Sequence, residues 1–339
     1  MKVALISDQH FGLSDGGDRF HDNFQLFYDN IFFPELLKRN IGKIYHLGDV
    51  FHNRKKIDTS TIKKARDYFF DPLAKAEIKM SIIVGNHDVY YRETNRVNSP
   101  SLLLSSYSNI TIYQSPVEED NIALVPWINK ENSTDVYKFI LNTKCNVLLG
   151  HLELKGFKLN KKQVAEHGMG TKAFEKFDKV LSGHYHTRSK KGNIEYIGSP
   201  TQHTWIDDGD IKGFYILDTK TLEMEFIENP YNMYYSFTYS DDINVEKEFP
   251  KCKNRMVKIL FNKIEDYSKY NDMIHEINKI AYDIKNTDLS SFSTDINSDS
   301  IEIEDTSEII KNYILELVDI EHEKVYQLMN DYYNEAVTS

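Results

Sequence analysis

The chain has 339 residues, of which 40% are hydrophobic and 13% aromatic, and it carries a formal net charge of −11. That length suffices for one large domain and a smaller one, each with a real core. No apolar run approaches the roughly 20 residues that span a bilayer, and two cysteines, Cys145 and Cys252, exclude a disulfide framework.

The acidic excess is confined to one end. Residues 286–339 hold 13 acidic residues against Lys311 and Lys324, whereas residues 1–240 hold 30 of each sign and residues 241–285 hold 9 of each. An acidic tail should not lie on a polyanion but suits a basic protein surface. The neutral remainder would present a positive cleft once it held divalent ions. A strand-like run begins at Val3, so no secretory leader is expected and a reducing cytoplasm is the expected location.

In chain order, Val3–Ile6 reads as a buried strand leading into Asp8-Gln9-His10. Phe24, Phe27, Tyr28 and Ile31 recur at helical spacing. Ile44–Leu47 is a second strand, ending in Gly48-Asp49. Ile62, Ala65, Phe69 and Leu73 mark a second helix, expected to stop near Asp71-Pro72 because proline lacks the amide a helix interior needs. Met80–Val84 leads to Gly85-Asn86-His87-Asp88, Cys145–Leu149 to Gly150-His151, and Lys179–Leu181 to Gly183-His184-Tyr185-His186. After Gly192 the pattern turns to strands at Ile194–Ile197, Gly213–Leu217 and Met224–Ile227. Pro230 marks a boundary between residues 1–229 and residues 230–285, where strands Tyr234–Tyr239 and Met256–Phe261 precede a helix carrying Ile274, Ile277 and Ala281. Residues 286–305 read as a polar linker. Residues 306–339 read as a helical segment with Thr306 as N-cap and an apolar stripe of Ile310, Ile314, Leu317, Val325, Leu328 and Tyr332.

Five of these runs deliver Asp, His or Asn at a strand end, where a rigid sheet holds a side chain facing a cleft. One such motif alone is compatible with ordinary turn chemistry. Five in this order, each after a strand-like run, specify a metal site. The His, Asp and Asn mixture suits manganese, iron or zinc better than calcium, which prefers oxygen alone. Basic residues follow the motifs in loops: Arg54, Lys55 and Lys56; Arg92 and Arg96; Lys155, Lys158, Lys161 and Lys162; Arg188, Lys190 and Lys191. Four such groups around one cleft point to a polyanion held by its phosphates without sequence readout. His21, His46, His167, His203, His275 and His322 match no ligand position and read as structural.

The constellation resembles the calcineurin-like metallophosphoesterases. The wording Gly48-Asp49-Val50-Phe51-His52 and Tyr196-Ile197-Gly198-Ser199-Pro200 is similar to the SbcD-type double-strand-break repair nucleases. Leu124-Val125-Pro126-Trp127 and the stretch from Gly150 to Phe157 resemble the recombination nuclease subunits of T4-type phages. The likeness extends to about residue 228.

The sequence pattern supports α/β. The resemblance implies a four-layer α-β-β-α sandwich with a small α+β capping, DNA-binding domain at 230–285. It further implies two divalent ions, manganese first, with magnesium or iron as alternatives. One would be held by Asp8, His10, Asp49 and His186, the other by Asp49, Asn86, His151 and His184, with Asp49 bridging. His87 would contact the scissile phosphate and protonate the leaving group. Asp88 would either orient His87 or finish the turn. His52 would either touch substrate or serve the loop alone. Arg54, Lys55, Arg92, Lys155, Lys158, Arg188 and Lys190 would contact DNA.

The implied activity is that of a DNA nuclease, a 3′→5′ exonuclease on duplex ends and an endonuclease on single strands or hairpins. It would act as a homodimer with an SbcC-type coiled-coil ATPase in recombination and repair, in the host cytoplasm if phage-encoded. A small-substrate phosphodiesterase or phosphatase, or a DNA-end scaffold with little activity, are the alternatives. The tail would dock on the ATPase or else pack on its own catalytic domain.

Overall fold

The computed structural model describes residues 1–290 together with Val325 and Met329. Residues 1–260 and 264–287 form one compact unit, and the description below concerns that unit. The expected linker beyond residue 290 and the expected tail helix, Val325 and Met329 apart, lie outside the described residues.

Twelve strands build two sheets. They are β1 (Lys2–Ile6), β2 (Lys43–His46), β3 (Lys79–Ile83), β4 (Ile110–Tyr113), β5 (Val117–Glu119), β6 (Ile122–Val125), β7 (Val147–His151), β8 (Lys179–Gly183), β9 (Ser189–Lys191), β10 (Ile194–Tyr196), β11 (Gly213–Asp218) and β12 (Met224–Glu228). The first sheet has the order β12-β11-β1-β2-β3-β4 and the second β5-β6-β7-β8-β10-β9. Strands β1 to β4 run parallel, as do β6, β7, β8 and β10.

Parallel strands are covered on both faces, which is why they read as near-continuous apolar runs. In β1, Val3 and Leu5 join Tyr45, Leu124, Leu149 and Leu181 in a core between the sheets, while Ala4 and Ile6 face an outer core shared with Phe24, Phe27, Phe32 and Phe69. A third core lies on the far side of the second sheet, where Leu148 and Val180 meet Val136 and Ile140 of the helix Ser133–Asn142. Helix, sheet, sheet and helix therefore stack as the expected α-β-β-α sandwich.

Register aligns the strand ends. Ile6 sits opposite His46 and His46 opposite Ile82, so the segments following β1, β2 and β3 emerge side by side. His151 at the end of β7 sits opposite Gly183 at the end of β8. Cys145 thus precedes β7 instead of lying within it, and His151 is the last residue of the strand. Both cysteines are buried and free.

The second helix does not stop at Asp71-Pro72. It runs from Thr59 through a wider π turn at Arg66–Phe70 and continues over Asp71–Lys75. The first helix does the same: Asp18–Phe27 passes through a π turn at Tyr28–Phe32 into Phe33–Lys38, which contains Pro34. In both, the wider turn comes just ahead of the proline and makes room for a residue with no amide to donate.

Downstream, β13 (Tyr234–Thr238), β14 (Met256–Phe261) and β15 (Asp283–Asp288) form a three-stranded sheet with helices Val245–Cys252 and Tyr267–Asn278. The expectation of two strands and one helix is corrected here. Val245–Cys252 is short and contains Pro250, which speaks against a helix, and β15 has the largely exposed sequence DIKNTD, which carries no apolar alternation. The linker therefore cannot begin at Asn286, which lies within β15. Among the described residues no helix is long and apolar enough to cross a membrane.

Candidate metal centre

All seven expected ligands converge where the strands of both sheets end. Asp8, His10, Asp49 and His184 adopt left-handed backbone angles, with φ of 52°, 48°, 57° and 86°. Non-glycine residues hold that conformation only when their surroundings enforce it, and such strain concentrates at functional sites. The approach of the loops is equally tight: a Cβ on Gly85 would strike the Asp49 carboxylate, and one on Gly48 (φ 94°) would strike the His151 ring.

Two sets of donor atoms share one oxygen. Asp49 Oδ2 lies 3.6 Å from His10 Nε2 and 3.4 Å from His151 Nε2. On one side, His186 Nε2 stands 3.1 Å from His10 Nε2 and 3.9 Å from Asp8 Oδ1. On the other, Asn86 Oδ1 lies 2.8 Å from His151 Nε2 and 2.9 Å from His184 Nδ1. Asp8 is tied to the second sheet because its carboxylate accepts the His184 amide at 3.1 Å. The His151 Nδ1–H donates to the Leu47 carbonyl at 2.6 Å, which leaves Nε2 to face the site.

The electrostatics fit a divalent cation. Burial first, then neighbouring imidazoles, drive His10, His184 and His186 below the ordinary histidine range, so they are held in the neutral, ligating form. Burial pushes the Asp8 carboxyl up to about 7; the His151 charge opposes this and the Asp49 charge adds to it. Burial also opposes ionisation of Asp49, but His151 and then His87 outweigh it and hold that carboxyl below the usual carboxylate range. Burial likewise disfavours charge on His151, yet Asp49 outweighs it and raises that imidazole to about 9. Two buried carboxyl groups facing three neutral imidazoles, with His151 giving up its proton to a bound cation, form a donor set that suits borderline divalent ions.

His87 stands over this cluster. Its amide donates to Asp49 Oδ1 at 2.7 Å, and its Nδ1–H donates to the His52 carbonyl at 2.7 Å, leaving Nε2 as the nitrogen that exchanges a proton. The His52 ring stacks on His87, and its Nδ1 lies 3.3 Å from His10 Nδ1. Asp88 finishes the turn: its carboxylate accepts the amides of Asp49, Val50, Phe51 and Gly85. Burial and the Asp49 charge raise its carboxyl to about 6. Bonded in this way, Asp88 acts on the loops' backbone, in keeping with the second of its two expected roles, finishing the turn.

Of the basic residues, Arg54 is half-buried, and burial and then the neighbouring Arg92 charge disfavour its own charge, which Asp49 partly offsets. Arg188 stacks on Phe226 at 3.7 Å, Lys190 pairs with Glu195 at 3.5 Å, and Arg96 pairs with Glu131. The chain itself therefore engages those three charges.

One histidine read as structural belongs to the site. His203 is buried, its ring centroid 4.7 Å from His186 and 5.0 Å from His10. The sequence signal was the run after Gly198-Ser199-Pro200, but no spacing pairs position 203 with 186. His21 and His46 keep their structural reading: His21 bonds Tyr68 and Thr61, and His46 bonds Gln9 and the Gly48 amide.

The calcineurin-like phosphoesterase family model matches residues 1–188. The chain is 28% identical over 345 residues to exonuclease subunit 1 of Enterobacteria phage T4, covering 99% of each. Among solved structures it is similar to an archaeal phosphodiesterase (15% identity, 68% of this chain and 100% of that one, TM-score 0.35). It is also similar to the Pseudomonas putida nuclease MPE (18% identity, 56% of this chain and 65% of that one, TM-score 0.30). The family match spans more than half of the chain and takes in every expected ligand from Asp8 to His186, so the protein belongs to the calcineurin-like phosphoesterases, a family of phosphoester hydrolases.

Proposed function

We propose that this phosphoesterase is a manganese-dependent DNA nuclease, a 3′→5′ exonuclease on duplex ends and an endonuclease on single strands or hairpins. The observation that carries the two-ion reading is the placement of Asp49 Oδ2 between the two donor sets. End-to-end similarity to a phage exonuclease subunit supports DNA as the substrate.

Asp8, His10, Asp49 and His186 would hold one ion, and Asp49, Asn86, His151 and His184 the other. When bound, the ions would activate water and neutralise charge on the phosphate. Asn86 contributes a neutral oxygen, which limits repulsion of the substrate. His87, with Nδ1–H fixed on the His52 carbonyl, presents Nε2 to deliver a proton to the leaving oxygen. His52 buttresses His87 by stacking and faces His10. Arg54 and Arg92, with Lys55, Lys155, Lys158, Arg188 and Lys190, would meet the phosphate backbone.

Residues 1–229 would form the catalytic domain and residues from 230 through β15 a capping, DNA-binding domain. The acidic segment 306–339 would dock on an SbcC-type coiled-coil ATPase, the chain acting as a homodimer in recombination and double-strand-break repair in the host cytoplasm.

The test is turnover of an end-labelled duplex against a small phosphodiester, with manganese or magnesium, with and without the ATPase. Faster turnover of the small ester than of duplex under all conditions would overturn the nuclease reading.

A further inference from the structure

His186 reaches the site through Nε2, 3.1 Å from His10 Nε2. Its other ring nitrogen, Nδ1, faces Nδ1 of His203 at 3.4 Å. A hydrogen bond between two ring nitrogens needs one hydrogen, and a nitrogen that offers its lone pair to a cation cannot carry it. With Nε2 of His186 turned to the site, the hydrogen belongs on His186 Nδ1, and His203 Nδ1 accepts it. His203 must then carry its own hydrogen on Nε2, an atom that is buried and has no hydrogen-bond partner among the described residues. A ligating imidazole more often donates to a carboxylate or a carbonyl, as His151 does to Leu47.

The main chain of His203 is held on both sides. Its amide donates to Asp207 Oδ2 at 2.8 Å, and its carbonyl accepts the Tyr234 hydroxyl at 2.9 Å. Asp207 pairs with Lys212 at 2.8 Å, and Lys212 also pairs with Asp210 at 2.9 Å. The same ammonium, only 2% exposed, donates to the His186 carbonyl at 2.8 Å. One buried cation therefore ties the backbone of His186 to the carboxylate that holds the backbone of His203. Neither backbone segment can shift without disturbing a buried ion pair, which is costly.

We propose that His203 is a positioning residue: it selects the His186 tautomer that carries its hydrogen on Nδ1 and so presents an unprotonated Nε2 to the first ion. This rests on the reading of His186 as a ligand.

The experiment uses the full chain with Mn²⁺ alone as the probe. Calorimetry gives affinity and ion count for native, His203→Leu and His203→Asn proteins, and ¹⁵N histidine spectra of the metal-free proteins locate the His186 hydrogen. His203→Leu should bind two ions but hold one of them, the ion that His186 would ligate, roughly 10–100-fold less tightly, the usual scale for losing a ligand's outer partner. His203→Asn, whose Oδ1 can accept where Nδ1 did, should restore most of that affinity. Native His186 should carry its hydrogen on Nδ1, and His203→Leu should shift it to Nε2.

The proposal is overturned by Nε2-protonated His186 in the native chain, by unchanged affinity in His203→Leu, or by an Asn variant as weak as Leu. Loss of one ion at saturation in His203→Leu would make His203 a ligand and overturn it as well. If the Leu variant does not fold, the native spectrum and the Asn variant decide. A native chain that binds no manganese defeats the metal reading itself, and the spectra still decide where the hydrogen lies.

Discussion

The carboxylate of Asp88 caps the turn that carries Asp49: its Oδ2 accepts the Asp49 amide at 2.9 Å, joining the loop after β3 to the loop after β2. The same oxygen takes the Gly85 amide, and the other takes those of Val50 and Phe51. Four backbone donors that would otherwise lie buried and unsatisfied converge on one side chain. Asp88→Asn turns an NH₂ toward amides that need an acceptor, and it should cost on the order of 3 kcal/mol. Chemical denaturation measures this directly. An unchanged midpoint would show that the four amides have other partners available.

The Asp49 carboxylate faces both donor sets. Asp49→Ala should therefore abolish bound metal and cleavage together while the fold survives. Metal content measured beside activity separates the alternatives, and retained manganese-dependent cleavage in the purified variant would falsify the bridging assignment.

His87 divides chemistry from coordination. His87→Ser should still bind two manganese ions and DNA, while turnover falls roughly 10²–10⁴-fold, the usual scale for general-acid catalysis. An ion missing from the variant would instead make His87 a ligand.

The pH dependence follows from Asp8, whose folded-state carboxyl lies at about 7 against an ordinary 3.8, chiefly through burial. A raised folded pKa means that the proton on Asp8 stabilises the metal-free fold, fully below about pH 4, and that this contribution fades as pH rises through about 7. A divalent ion competes with that proton. Manganese affinity should therefore climb with pH by up to about tenfold per pH unit for each proton displaced, with proton release on binding. The climb runs through neutrality for Asp8 and on toward about 9, where His151 must also lose its proton. Calorimetry in buffers of different ionisation enthalpy counts the protons, and a flat affinity between about pH 5.5 and 7 would contradict the shift.

The acidic tail bears on partners. Deleting residues 300–339 should spare manganese-dependent activity of the isolated chain but remove ATPase capture and ATP-stimulated cleavage, with native capture weakening as salt rises. Undiminished capture by the truncated chain would mean that the tail serves its own catalytic domain.

The sequence by itself determined the α/β class and the five strand-end motifs, because a residue just past a parallel strand inherits its position from a hydrophobic run that can be read locally. Which seven side chains would be donors came from the family resemblance. Val3–Ile6 announces Asp8 and His10, and Ile44–Leu47 announces Asp49. Shorter strands such as β5 and β6 escaped notice because three or four residues carry too little period. The polar strand β15 escaped because its exposed side chains carry no apolar alternation. The helix over residues 59–75 was cut short in prospect because a proline's accommodation depends on a wider turn upstream, and no single residue type signals such a turn.

Only the tertiary structure decided which residues support the ligands. Asp88 reaches back 39 positions to the Asp49 amide, and His203 faces His186 across 17. Lys212 pairs with its sequence neighbours Asp207 and Asp210, and the fold carries its ammonium to the His186 carbonyl 26 positions away. Such partners are set by where loops return after leaving the sheets. That return depends on summed packing and hydrogen bonding across the unit, which no local pattern encodes.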